Sequence, residues 1–121
     1  LNDFNGKYVS SCVKRKISMR AGETDKAKIV YEKKLENICV QISNCSNHIG
    51  NLDCDVIIDK NNDVYILDLN PRFGGGYAFT HLAGLNYLKF IIYSLSKKKY
   101  ILPKRPNIIK AAKTLGVKIC K

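Results

Sequence analysis

No apolar run in this chain approaches the ~18 residues of a membrane-spanning helix. Leu1 is not followed by the basic and apolar regions of a secretory leader, so none is expected at this end. The five cysteines, Cys12, Cys39, Cys45, Cys54 and Cys120, are odd in number and contain no Cys-x-x-Cys. That argues against a zinc site and against a disulfide framework. Reduced thiols in a cytoplasmic protein are expected, with Cys39 and Cys45 packing as small apolar side chains. There is no internal repeat, and the only low-complexity stretch is Lys97-Lys98-Lys99. Few aromatics are interleaved with the basic runs and no nucleic-acid motif is present, which disfavours nucleic acid as a partner. Oligomeric state has no signal in the sequence.

What is present suits one modest core. The chain has 121 residues, 45% of them apolar, and a net charge of +11. That composition belongs to globular rather than disordered chains. Basic residues gather in Lys14-Arg15-Lys16-x-x-x-Arg20 and from Lys97 onward. The two gatherings suit any polyanion, and the first adjoins a glycine turn on what reads as a strand. Residues 1–96 are expected to form the folded unit and residues 97–121 a basic extension.

The densest chemistry lies at Asp68-Leu69-Asn70-Pro71-Arg72-Phe73-Gly74-Gly75-Gly76, with Asp55 upstream. Two β-rich runs, Asp53–Asp59 and Val64–Leu69, flank Lys60-Asn61-Asn62-Asp63 and predict an antiparallel hairpin. Asn-Asn tolerates the positive φ angles of a two-residue turn. A turn centred on Asn61-Asn62 sets Asp55 opposite Asp68, where Cβ atoms lie about 5 Å apart and like charges repel. Asn70 emerges on the same face. Two carboxylates and an amide oxygen then converge, an arrangement that a hard divalent cation relieves. The same register predicts an apolar face of Val56, Ile58, Tyr65, Leu67 and Leu69. It leaves Ile57 and Ile66 beside the polar trio. The plain alternative is a solvated acidic patch.

Pro71 fixes the backbone after these residues and Arg72 adds a planar guanidinium. Three glycines follow, able to turn sharply or to approach a ligand closely. A guanidinium beside a metal-binding carboxylate pair is an arrangement for phosphate. Asp59-x-Asn61-x-Asp63 begins like a calcium loop, but Val64 and Asn70 stand where such a loop needs Gly and Glu, so it is rejected.

Residues 1 to about 95 resemble the C-terminal part of ATP-grasp enzymes, most of all the carbamoyl-phosphate-synthase-like branch, where Glu-x-Asn-Pro-Arg-Phe-Gly-Gly-Gly closes the nucleotide site. Lys14 to Thr24 is similar to a second segment of that branch. The resemblance implies an α+β fold, an antiparallel sheet with flanking helices. It implies an ADP-forming ligase that activates a carboxylate as an acyl phosphate for attack by an amine or thiol. It implies ATP with Mg²⁺ or Mn²⁺, the metal held by Asp55, Asp68 and Asn70. Arg72 would contact the transferred phosphate, and Arg15 or Arg20 a phosphate or the acidic substrate. Asp68 is one carbon shorter than the usual Glu, which favours monodentate contact. No glycine-rich phosphate-covering loop or adenine-contacting segment precedes the basic strand, so those parts are expected upstream of Leu1, and this portion alone is expected to be inactive. Two other readings stand: a non-catalytic basic module for a polyanion, and a degenerate ATP-grasp scaffold.

Elsewhere, Asp3-Phe4-Asn5-Gly6-Lys7 has turn chemistry. Tyr8 to Met19 is the expected following strand, its partner expected outside the chain. Ala27 to Tyr31 suggests a short strand. Leu35, Ile38, Cys39, Ile42 and Cys45 predict a core-packing helix over Glu32–Cys45. Thr80 to Ser96 is expected helical with a break at Gly84. His81 reads as a structural or surface histidine and His48 as a loop residue. Pro103 and Pro106 mark a linker, and Asn107 to Leu115 suggests a last short basic helix.

Overall fold

A two-residue turn at Ala21-Gly22, both at positive φ (49° and 78°), folds β1 (Lys14–Arg20) onto β2 (Glu23–Ile29). Positive φ at both central positions matches the twist of the strands, and Gly22 takes its share without strain. In this computed structural model, which describes residues 1–114, the molecule is a small α+β unit with antiparallel sheets and a few helices. After β2 come α1 (Lys33–Ser46), β3 (Asp53–Ile58), β4 (Val64–Asn70), α2 (Tyr77–Leu82), α3 (Tyr87–Leu95) and β5 (Lys110–Ala112). One sheet has the order β1-β2-β5 and the other is the β3-β4 hairpin. No described helix is long and apolar enough to cross a membrane.

Ala27 and Ile29 lie on one face of β2 and are buried with Phe79 and Ala83 around α2. A second cluster joins Leu1, Leu85 and Tyr87, with Phe73 and Tyr77 packed against it. Gly84, at φ 92°, ends α2 and allows the turn into α3. Asn86 caps α3 by accepting from the Lys89 amide at 2.9 Å. This satisfies one of the unpaired donors of a helix start.

Several expectations change here. The opening turn closes within the chain: Asn2 bridges Tyr8 and also Gly50, and its buried amide accepts from Ser43 Oγ at 2.7 Å. Regular strand structure begins at Lys14 rather than Tyr8. The stretch expected as a last helix contains β5 instead, paired with β2 through Lys26–Ala112, Ala27–Ala111 and Lys28–Lys110. Leu115, its expected end, lies outside the described residues. Cys45 is exposed, and Cys39 is partly buried.

The β3-β4 hairpin differs at its tip. Ile58 pairs with Val64, and the loop closes through Asp59 N to Asp63 O and Asn62 N to Asp59 O, both at 3.0 Å. Lys60-Asn61-Asn62 is thus a three-residue loop, with Asn62 alone at positive φ (66°). Leu67 is then an extra residue between the Val56–Ile66 and Asp55–Asp68 pairs, a β-bulge that resets the register. The pairing therefore places Ile66 with Val56 and Tyr65 with Ile57, exchanging the faces expected for those two β4 residues. Ile57, Ile58, Tyr65, Ile66, Leu67 and Leu69 are all exposed rather than packed.

Candidate functional site

Beyond the bulge the ladder pairs Asp55 with Asp68 and Asp53 with Asn70. Directly opposed residues share a face, and so do residues two apart on a strand. Asp53, Asp55, Asp68 and Asn70 thus form a two-by-two patch of oxygen-bearing side chains at the open end of the ribbon. The Asn70 amide donates to Asp68 Oδ2 at 2.5 Å. Lys16 reaches across from β1 and places its ammonium 2.8 Å from Asp55 Oδ2.

This patch lines a cavity of about 400 Å³ between the hairpin, the inner face of β1 and α1. That volume lies within the range of small-ligand sites. Its basic side comes from Lys14 and Lys16, with Arg72 at the end of the hairpin. Buried Leu35 and half-buried Ile38, Cys39 and Ile42 of α1 supply an apolar wall. Lys14 Nζ donates to Thr80 Oγ1 at 3.2 Å, which ties β1 to α2.

The Arg72 backbone is held at both ends of its peptide. Its amide donates to the Asn70 carbonyl at 2.7 Å across Pro71, and its carbonyl accepts from Asn51 Nδ2 at 2.9 Å. Of the glycines that follow, Gly74 makes the closest approach. A Cβ on Gly74 would lie 1.7 Å from Asp53 Oδ2, one on Gly75 3.2 Å from the Glu23 carboxylate, and one on Gly76 3.2 Å from Lys14 Cε. In this structure the glycine backbone therefore meets the charged side chains of the site itself. Phe73 and Tyr77 stack edge-on at 4.5 Å between centroids and anchor the loop to the second core cluster.

Cys54, between the two aspartates of β3, has its thiol pushed up to about 11. Burial is the main cause, followed by Cys39 and the Asp55, Asp53 and Asp68 carboxylates, which oppose a thiolate beside them.

Of the residues singled out in the sequence, Asp55, Asp68, Asn70 and Arg72 all line the cavity. Arg15 and Arg20 do not: Arg15 leaves β1 on the face opposite Lys14 and Lys16, and Arg20 is paired with Asp25 at 2.8 Å. Lys14, Lys16 and Asp53 went unremarked as site residues. Their signal was the period of two in Lys14-x-Lys16 and Asp53-x-Asp55, which puts each pair on one strand face. Among the described residues no group of three His, Cys, Asp or Glu side chains converges as a metal cage; the patch offers an amide beside its carboxylates.

In comparison with known proteins, the chain matches no protein-family model and no curated protein.

Proposed function

We propose that this chain supplies the phosphate-binding end of an ATP-grasp-type, ADP-forming ligase of the carbamoyl-phosphate-synthase-like kind, which activates a carboxylate as an acyl phosphate. The observation that carries the reading is the Asp55–Asp68 pair, with Asn70 on the same face and Arg72 beside it, lining one cavity. The donor set fits a hard cation: two carboxylates and an amide whose oxygen is presented by rotation of its terminal torsion. Asp55, Asp68 and Asn70 would hold Mg²⁺ or Mn²⁺, which offsets charge on the ATP phosphates when bound.

The chain's own cations do the rest. Arg72, its backbone pinned on either side, presents a fork suited to a phosphoryl group or to the substrate carboxylate. Lys14 and Lys16 add two ammonium groups on the opposite wall, and Lys16 can exchange Asp55 for a phosphate oxygen. The apolar wall from α1 lowers the local dielectric and strengthens these contacts.

The Lys16–Asp55 ion pair favours a second reading, a degenerate scaffold in which a tethered ammonium compensates the carboxylates in place of a metal. Calorimetric titration with MnCl₂, and then with Mn-ATP, separates the two. The ligase reading expects metal binding in the native chain, loss of it in Asp55→Asn and Asp68→Asn, and ATP binding that needs the metal and Arg72. Identical titrations for native and variant chains would leave the scaffold.

A further inference from the structure

The three-stranded sheet has a second face, and there the register aligns like charges. Arg15 on β1 is paired with Lys28 on β2, and Lys28 with Lys110 on β5. Cross-strand partners share a face, so three cations form one row across strands about 5 Å apart. Lys26 stands two residues from Lys28 and adds a fourth on that face. All four side chains are exposed. The ion pairs among the described residues use Lys16, Arg20 and Lys113 instead, and none of these four forms one with a described carboxylate. Like charges set directly opposite one another destabilise a sheet. An external anion set against this face would relieve that repulsion.

Although the sequence has no nucleic-acid motif, this row leads to a different expectation: we propose that this outer face binds the phosphate backbone of a nucleic-acid duplex, by charge and without reading sequence. No aromatic side chain belongs to the row, so base stacking of the kind that holds single strands is not available. Lysine is depleted from the centres of protein–protein interfaces, where aromatics and Met lead, whereas phosphate contacts are made chiefly by Lys and Arg. A duplex presents the densest fixed line of negative charge, about one per 1.7 Å of axis. The proposal is independent of the cavity, because Lys14 and Lys16 leave β1 on the other side.

The test is fluorescence anisotropy of a short, labelled, random-sequence DNA duplex titrated with the whole chain. Four phosphate contacts predict that affinity falls about 100-fold between 50 and 200 mM salt, a log–log slope of about −3 to −4. The double substitution Lys28→Gln/Lys110→Gln should move that slope by about two toward zero and weaken binding equally for every sequence tried. Lys98→Gln/Lys99→Gln makes the same change in net charge elsewhere and should leave the slope as it was. Lys28→Arg keeps the charge and should bind like the native chain, which separates lost contact from lost fold. Equal losses in the two double variants would overturn the proposal. So would competition by polyglutamate, or by phosphatidylserine vesicles, as effective as competition by unlabelled duplex.

Discussion

Gly74 shows how a single missing carbon shapes this site. Its backbone passes so close to Asp53 that a methyl group there would occupy the carboxylate's position. Gly74→Ala should therefore destabilise the chain by about 1–3 kcal/mol, the usual range for overpacking, read as a shift in the denaturant midpoint. Adding Asp53→Ala should recover part of that loss; strict additivity of the two would show that the contact is not the cause. Cys54 makes a second prediction at this scale. With its thiol raised from near 9 to about 11, the folded state holds the proton more tightly than the unfolded chain does. The resulting stabilisation is complete below about pH 9 and is lost as pH rises through 11. At pH 8 alkylation of Cys54 should be about 100-fold slower than that of an unperturbed thiol. Exposed Cys45 should be labelled before Cys12, Cys39 and Cys54, with peptide mass spectrometry reading the order.

At the scale of elements, Asp59 and Asn62 fix the hairpin tip. Asp59 accepts from the Asn61 and Asp63 amides at 2.9 and 2.8 Å, and Asn62 takes the left-handed position. Asn62→Ala should cost about 1–2 kcal/mol of stability while Asn62→Gly is tolerated, as thermal melts of the two variants would report. The Asp55–Asp68 pairing was legible only as the consequence of a turn placed at Asn61-Asn62. The turn was not, since Asn61-Asn62 suits a two-residue loop and a three-residue loop equally well. The expected register and the real one agree at the acidic end only because the bulge at Leu67 offsets the longer loop. The segment around Lys110–Ala112 was misread for a different reason: Lys and Ala favour helix locally, and pairing with β2 overrides that preference. The glycine run was legible as a place of close approach, but not what it approaches, because Asp53, Glu23 and Lys14 arrive from three separate strands.

Across the whole molecule the packing is uneven. β2 is the central strand of its sheet and carries buried Ala27 and Ile29, whereas the β3-β4 ribbon is exposed on much of its apolar surface. A two-stranded ribbon alone is marginal in water. Hydrogen exchange should accordingly find the β2 amides slowest and those of β3 and β4 markedly faster; equal protection of the two would show that they open as one unit.

Leu67 also bears on how the sequence can vary. It is one residue more than the ladder uses, so it can be dropped while Asp55 still meets Asp68 and Asp53 still meets Asn70. The ribbon would merely lose some of its local twist. A chain shorter by one residue at this place would keep the whole acidic patch.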